Sequence, residues 1–380
     1  MLEYSVRPSI AHMEAYEVET IEANIIVNAN ENNYPTPEII RQEVETLIKN
    51  FSFNRYPPMK SENLRELIAR ELGLDMHLIQ ISNGSSELLE KACYAFGGAG
   101  KKIAVPWPSF SMYGEYADLA DSQALRYNLT EAGYVDPDVV IELCQKEKPA
   151  LLIICNPNNP TGNYNPLALM EKIIANVSCP VIMDEAYMEF ALGQEAETST
   201  LSLLNKYDNF MVFRTFSKAY GLAGMRCGYG VGPRKLMDEL SKVLLPYTVN
   251  AFTLKLAEIV YKNKAAYKEQ INLILAERDK FAAELKNLGF KVFDTATNFV
   301  CFCPGKNLAD KLQAAYTKKY GEDKTGLEAA GKFLFKELLA QSILTRDFTG
   351  HPILKGCLRI TIGTPEENIL ILQAIKKAVA

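Results

Sequence analysis

The stretch Phe213–Gly228 reads FRTFSKAYGLAGMRCG and contains Lys218, which lies beside small hydroxyl residues and precedes Arg226 by eight positions. It continues an apolar run that begins at Phe210 and is typical of a buried strand. Lys218 is therefore predicted to lie in the loop at the carboxyl end of a strand. Ligands bind at that edge in open α/β sheets, so the stretch indicates both a fold class and the position of a site.

A lysine at that edge can take part in covalent chemistry. Lysine is one of the few side chains that condense with an aldehyde to form an imine, and pyridoxal 5′-phosphate is the cofactor that requires one. Thr215 and Ser217 add hydroxyl donors and Arg226 adds a planar cation, which together suit a phosphate dianion. Taken alone, the stretch also fits an ordinary Ser-Lys pair and a surface arginine.

The composition argues against several classes of protein. The chain has 380 residues, of which 48% are apolar, enough for about two domains. A net charge of −5 without a dominant basic cluster disfavours binding to nucleic acid or anionic lipid. Eight scattered cysteines and three histidines disfavour a metal cluster and a disulfide framework. With no signal peptide and no membrane-spanning apolar run, we expect a soluble cytoplasmic protein.

Apolar runs alternate with helical segments over most of the chain. They predict strands at Ile79–Ser82, Lys102–Val105, Ala150–Cys155, Pro180–Met183, Phe210–Phe213 and Gly228–Val231. This alternation indicates a mostly parallel sheet flanked by helices. One long helical stretch is expected from Ala251 to Leu288. Later strands at Phe290–Phe293, Phe299–Phe302 and Leu358–Ile362 indicate a smaller α+β lobe.

The predicted fold class is therefore α/β, with two domains and an arm. Residues 51–275 are expected to form the large domain and residues 276–380 the small C-terminal domain. Residues 1–50 are expected to form an N-terminal arm and part of the small domain. Within the large domain, Ser61 is a plausible N-cap of a helix and Gly73 its end.

Two motifs that follow predicted strands suit the binding of an anion and of a ring. Asn83–Glu87 reads NGSSE and opens a helical segment, where Ser85, Ser86 and the first helical amides can receive an anion. Ordinary helix capping explains the same residues. Phe110, in the Pro-Ser-Phe sequence that follows another strand, can stack on a planar heterocycle or pack in the core.

Two further motifs place amide, acid and phenol groups at strand ends. Cys155–Gly162 reads CNPNNPTG, a rigid loop from which Asn159 can reach a phenolic oxygen. Val181–Tyr187 reads VIMDEAY, in which Asp184 can keep a pyridine nitrogen protonated and Tyr187 can donate to a ring oxygen. An aspartate at a strand end is more often a helix N-cap.

The succession of these motifs resembles the fold-type I aminotransferases that use pyridoxal phosphate, and within them most resembles the histidinol-phosphate aminotransferases. The likeness runs from Asn28–Asn32 to Leu358–Asn368, nearly the whole chain. It implies that Lys218 forms the imine with the cofactor and that Asp184 pairs with the ring nitrogen. It also implies that Asn159 and Tyr187 hold the ring oxygen, with Phe110 on the ring face. The phosphate would be received by Ser85, Ser86, Thr215, Ser217, Arg226 and, from a second subunit, Tyr56.

A homodimer follows from a trans-acting Tyr56, and two arginines become candidates for the substrate. Arg359 lies within an apolar strand, where an unpaired charge costs too much, so it is the better candidate for binding a substrate anion, with Arg346 assisting. The resemblance implies that Arg359 takes the phosphate of histidinol phosphate in one half-reaction. In the other it takes the carboxylate of glutamate or 2-oxoglutarate. Tyr16 would lie beside Phe110 in the donor pocket.

The predicted reaction is a ping-pong transamination between a small amino donor and a 2-oxo acid. In it, Lys218 moves a proton between the substrate carbon and the cofactor carbon. The N-terminal segment lacks the Tyr-x-x-Gly turn that many members of the family have, and the segment 306–340 is longer than is usual at this position. Both differences fall where the substrate is selected. An aromatic or other amino-acid aminotransferase is therefore an alternative. A lyase like the threonine-phosphate decarboxylases and a non-catalytic effector-binding domain are two more.

Overall fold

The computed structural model describes residues 6–11, 13, 21–191, 199–321 and 323–380. Its strands are β1 (Ile25–Ile26), β2 (Ile79–Ser82), β3 (Lys102–Trp107), β4 (Gln123–Asn128), β5 (Leu151–Cys155), β6 (Val181–Asp184), β7 (Phe210–Thr215), β8 (Gly228–Val231), β9 (Phe290–Val292), β10 (Phe299–Pro304), β11 (Ile343–Leu344), β12 (Arg346–Phe348) and β13 (Cys357–Thr361). Its α-helices are α1 (Pro8–Ala11), α2 (Glu38–Lys49), α3 (Glu62–Leu72), α4 (Ser85–Phe96), α5 (Met112–Leu119), α6 (Pro137–Glu147), α7 (Leu167–Asn176), α8 (Met188–Ala191), α9 (Arg234–Val243), α10 (Ala251–Lys262), α11 (Lys268–Asn287), α12 (Lys306–Tyr320), α13 (Gly326–Leu339) and α14 (Pro365–Val379).

Seven strands form the large sheet, in the order β2-β8-β7-β6-β5-β3-β4. Neighbouring strands are parallel except at β8, which runs antiparallel to β2 and β7. All of β5 is buried, as a parallel strand covered on both faces requires. Its alternate residues serve two cores, with Ile153 on one face and Leu152 and Ile154 on the other. The predicted sheet flanked by helices is confirmed.

The carboxyl ends of neighbouring parallel strands meet at one edge of this sheet. The register pairs Cys155 at the end of β5 with Asp184 at the end of β6, and Asp184 with Phe213 in β7. The polar residues that follow these strands are therefore brought together, although they are far apart in sequence.

A second, antiparallel sheet has the order β12-β13-β10-β9. Its core contains Phe299 and Leu358 and extends to Phe281 of α11. The short strand β1 pairs in parallel with β11, through Ile25 and Ile343, and Ile25 packs in the same core. Strand β1 is thus attached to the small lobe.

The structure differs from the sequence analysis at one long helix and one strand, and it places one predicted capping residue without its capping bond. The helical stretch from Ala251 to Leu288 is interrupted by a 3₁₀ turn at Lys264–Tyr267. Asn263 ends α10 there, because its side-chain amide donates to the Ile259 carbonyl at 2.9 Å and competes with helix continuation. Ser61 occupies the N-cap position of α3 without a capping bond, whereas Gly73 ends that helix at a φ of 65°. Strand β4 was not predicted, since this edge strand lacks clean apolar alternation.

The composition also led to expectations about the cysteines, membrane-spanning segments and metal sites. All eight cysteines are buried free thiols. In the described ranges, no helix is both long and apolar enough to cross a membrane. Nor does this part of the chain contain a cluster of three or more residues able to hold a metal ion.

Candidate active site

The carboxyl edge of the large sheet and the small lobe enclose a cavity of about 880 Å³. Most of the predicted site residues line it, from both lobes. They are Ser85, Ser86, Phe110, Asn159, Asp184, Tyr187, Thr215, Ser217, Lys218, Arg226, Arg346 and Arg359. Tyr56 is not among them, and Tyr16 lies outside the described residues.

Asp184 presents a desolvated carboxyl group to the cavity. It is 4% exposed and ends β6. The Tyr113 hydroxyl donates to its Oδ2 at 2.6 Å, and the Ala186 amide donates to its Oδ1 at 3.2 Å. Burial raises the pKa of Asp184 to about 6, although these two hydrogen bonds oppose the shift. A carboxyl group in this setting gains most from a nearby cation, such as a protonated ring nitrogen.

Replacing Asp184 by Asn is expected to stabilise the cofactor-free protein at neutral pH by about 2 kcal/mol. The folded-state pKa is raised above the ordinary value of 3.8, so the cost of ionising this buried acid grows as the pH rises from about 4 to about 6 and is complete above that range. Asn removes that cost, keeps an oxygen that can accept from the Ala186 amide, and offers an amide hydrogen to the Tyr113 hydroxyl oxygen. Urea unfolding of both proteins at about pH 4 and about pH 8 measures the effect. An equal stability difference at the two pH values would contradict it.

The amine of Lys218 is positioned by a backbone carbonyl. Its Nζ donates to the Ala29 carbonyl at 2.8 Å. Burial, and then the nearby charge of Arg359, lowers the pKa of Lys218 to about 8. The amine is therefore neutral, and nucleophilic, over a pH range in which an ordinary lysine is protonated.

Tyr187 is oriented by a residue that the sequence did not single out. The side-chain amide of Asn30 donates to the Tyr187 hydroxyl oxygen at 2.8 Å. Burial raises the pKa of Tyr187 to about 12, so the phenol keeps its proton. Because the phenolic oxygen already accepts from Asn30, its own proton is directed to another acceptor. Asn30 belongs to the Asn-rich loop after β1, and that clustering of amides was the available signal.

A cradle for an anion forms where α4 begins. Gly84 lies at the N-cap with a φ of 80°, and a Cβ there would lie 2.5 Å from Nη2 of Arg226. The Thr215 and Ser217 hydroxyl oxygens lie 2.9 Å apart. Open helical amides, two hydroxyl groups and a guanidinium group together suit a phosphate dianion.

The two arginines face each other across neighbouring strands of the small sheet. Arg346 in β12 is the register partner of Arg359 in β13, so both side chains project from one face. Arg359 is 6% exposed and donates to the Asn159 side-chain oxygen and to the Asn28 carbonyl, the latter at 2.6 Å. Since the oxygen of Asn159 is used in this way, its amide nitrogen is the donor that it can offer to a ligand.

A buried ion pair connects the end of β6 to the neighbouring strand β7. Glu185 is fully buried and accepts from Nη2 of Arg214 at 2.8 Å, and it also accepts from the backbone and hydroxyl of Thr200. The pair links β6 to β7, whose ends carry Asp184 and Thr215. Breaking one partner of such a buried pair leaves an uncompensated charge, so the pair holds the two strand ends in place.

Tyr56 lies on the surface of its own chain. Its side chain is 83% exposed and its ring stacks on Tyr247 at 4.8 Å between centroids. It borders a separate groove of about 330 Å³ between α2, α3 and α10. A single chain therefore does not bring Tyr56 to the cavity.

The side chains that line the cavity fit pyridoxal 5′-phosphate part by part. Asp184 suits the ring nitrogen, Tyr187 and Asn159 offer donors for the ring oxygen, and Lys218 offers an amine for the aldehyde. The cradle at the start of α4 suits the phosphate. Tyr113 and Asn30 orient two of these groups through hydrogen bonds that only the folded chain reveals.

Comparison with known proteins shows the family of the chain. A model of the family described as aminotransferase class I and II matches residues 24–375. The histidinol-phosphate aminotransferase of Thermoanaerobacter pseudethanolicus is 32% identical over 378 residues, which are 99% of each chain.

Solved structures support the fold. The histidinol-phosphate aminotransferase of Sinorhizobium meliloti, in complex with pyridoxal 5′-phosphate, has a TM-score of 0.83 at 20% identity and matches 100% of this chain and 98% of its own. The histidinol-phosphate aminotransferase of Clostridium acetobutylicum has a TM-score of 0.80 at 23% identity over 93% and 99% of the two chains. Since the family model spans nearly the whole chain and a relative with 32% identity aligns from end to end, the chain belongs to the aminotransferase class I and II family.

Proposed function

We propose that this aminotransferase, using pyridoxal 5′-phosphate, transfers an amino group between histidinol phosphate and 2-oxoglutarate. The observation that carries the substrate assignment is the pairing of Arg346 with Arg359 on the cavity wall. Histidinol phosphate has no carboxylate, and its phosphate is a dianion that two guanidinium groups can share. The full-length similarity to a histidinol-phosphate aminotransferase supports the same donor.

The catalytic role falls to Lys218. Pyridoxal 5′-phosphate, when bound, supplies an aldehyde that exchanges amino groups and a ring that withdraws electrons. Lys218, with its lowered pKa, is the base that takes a proton from the donor carbon and passes it to the cofactor carbon. Asp184 holds the ring nitrogen in its protonated form, and Tyr187 and Asn159 donate to the ring oxygen.

The remaining site residues bind and orient. Ser85, Ser86, Thr215, Ser217 and Arg226 receive the cofactor phosphate, and Phe110 covers one ring face. Phe110 packs edge-on against Tyr113 at 5.5 Å between centroids, which limits its movement. Arg359, with Arg346 assisting, takes the phosphate of one substrate and the carboxylate of the other, because both are anions that bind bidentately.

The direct test follows the absorbance of the bound cofactor as each substrate is added alone, in the absence of the second substrate. Histidinol phosphate and glutamate are each expected to convert the cofactor to its amine form, and 2-oxoglutarate to restore it. Phenylalanine and tyrosine test the aromatic alternative in the same format. Release of carbon dioxide tests the lyase alternative. If histidinol phosphate left the absorbance unchanged while an aromatic amino acid changed it, the proposed donor would be wrong.

We also propose that the enzyme is a homodimer in which Tyr56 completes the phosphate site of the partner subunit. Several large apolar side chains near Tyr56 are exposed, namely Phe53, Met59, Leu245 and Tyr247. Exposed apolar groups gathered in this way are typical of an interface. A cytoplasmic location is part of the same proposal, and the eight free thiols support it.

Mixing two impaired variants tests the shared site. Lys218→Ala and Tyr56→Ala proteins are each expected to be impaired, for different reasons. After subunit exchange of equal amounts, random pairing gives one intact site in each mixed dimer, so about one quarter of the sites should recover activity. Each variant taken alone through the same exchange is the control. No recovery, together with proof by sedimentation that mixed dimers had formed, would contradict the trans role of Tyr56.

A further inference from the structure

Trp107, the single tryptophan of the chain, borders the active-site cavity in contact with a histidine. It is the last residue of β3 and is half-buried. The His351 ring lies 4.6 Å from its ring, between centroids, with a tilt of 35°. The Arg126 guanidinium lies 4.1 Å from the same ring. Trp107 comes from the large sheet and His351 from the loop after β12, so the aromatic pair joins the two lobes beside the cavity.

His351 is held in one orientation by its own loop. Its Nδ1 accepts from the backbone amides of Ile353 and Leu354, at 3.2 and 3.1 Å. In a neutral ring the proton must then lie on Nε2, which makes that atom a donor. Burial, and then the charge of Arg126, lowers the pKa of His351, which favours the neutral ring at physiological pH.

Phe348 connects this pair to the arginines. Its ring lies 6.3 Å from that of His351, and the guanidinium groups of Arg346 and Arg359 lie 5.9 and 5.8 Å from its centroid. One wall of the cavity therefore carries an anion-binding end and an aromatic end a short distance apart. A ligand that fits both ends must carry an anionic group and a planar ring on a short linker.

We propose that the Trp107–His351 pair is the surface that receives the planar side chain of the amino donor, with the Nε2 hydrogen of His351 as its hydrogen-bond donor. This inference rests on the proposed function and specifies how the enzyme recognises its ring-bearing substrate. Glutamate has no ring and reaches only the arginine end. The pair thus lets the enzyme distinguish its two substrates, although the same arginines bind both of them.

Two phosphate esters test the pair in the holoenzyme without any reaction. Imidazolylpropyl phosphate carries the ring and the anion but no amine, and propyl phosphate carries the anion alone. Trp107 is the sole tryptophan, so its fluorescence reports directly on ligands that touch it. Imidazolylpropyl phosphate is expected to change the emission, and propyl phosphate to bind without that change.

Variants at His351 distinguish its two nitrogens. His351→Asn keeps an acceptor for the loop amides but removes the ring and the donor at the Nε2 position, whereas His351→Gln places an amide donor near that position. The Asn variant is expected to bind imidazolylpropyl phosphate about 10-fold more weakly than the wild type, and the Gln variant is expected to recover part of that loss. Affinity for propyl phosphate and the rate of the glutamate half-reaction should be unchanged in both.

The outcomes separate this inference from the proposed function. If His351→Asn weakened both esters equally, or neither, the aromatic pair would not be the ring-binding surface. Failure of the wild type to transaminate histidinol phosphate would overturn the proposed function. The fluorescence and affinity measurements would still decide whether the pair binds a ring.

Discussion

Replacing Lys218 by Ala is expected to lower transamination by about 10⁴-fold or more, because the side chain that exchanges with the cofactor and the base that moves the proton are lost together. The visible absorbance that depends on the lysine should disappear in the same variant. Repeated turnover and the absorbance spectrum are the two measurements. Binding of the cofactor should persist, because the phosphate cradle and Asp184 do not depend on Lys218.

Lys218→Arg is the matched control for charge. It keeps a cation beside the Ala29 carbonyl but cannot condense with an aldehyde, so it should be as inactive as the Ala variant. A Lys218→Ala protein that turned over at a rate close to that of the wild type would disprove the assignment of the catalytic base. A variant that lost the cofactor altogether would instead indicate that the amine contributes mainly to binding.

Replacing Gly228 by Ala is expected to weaken cofactor binding by about 100-fold, although Gly228 touches no ligand in the proposed site. An added Cβ would lie 2.3 Å from the Ser85 amide nitrogen and 2.7 Å from the Gly84 carbonyl carbon. These are backbone atoms, so the start of α4 must move away from β8. The amides that receive the phosphate would be displaced with it.

Gly114→Ala is the matched control, because a Cβ on this α5 glycine meets no atom within 4 Å. It should bind the cofactor as the wild type does. Equilibrium titration of cofactor-free protein with pyridoxal 5′-phosphate measures both variants, and circular dichroism confirms that each is folded. Unchanged affinity in folded Gly228→Ala would show that the cradle does not depend on close packing of α4 against β8.

Local patterns were sufficient for the fold class and for the residues at the strand ends. A buried parallel strand is a short apolar run, and the polar residue that follows it must lie at the carboxyl edge whichever strand lies beside it. Asp184, Thr215 and Lys218 could therefore be assigned to one site before any contact was known. Edge strand β4 and the break after α10 were missed, because each depends on side-chain and neighbouring-strand contacts that periodicity does not encode.

The sequence by itself determined which chemical groups this protein gathers: an amine, a carboxyl group, a phenol, an amide and a set of anion-binding donors. Only the tertiary structure decided how each group is tuned. Asn30 reaches Tyr187, Ala29 reaches Lys218 and His351 reaches Trp107 only after the small lobe and its arm dock on the large sheet. Such contacts join residues more than a hundred positions apart, so the packing of whole lobes, and not any local pattern, sets the geometry and the proton affinity of the site.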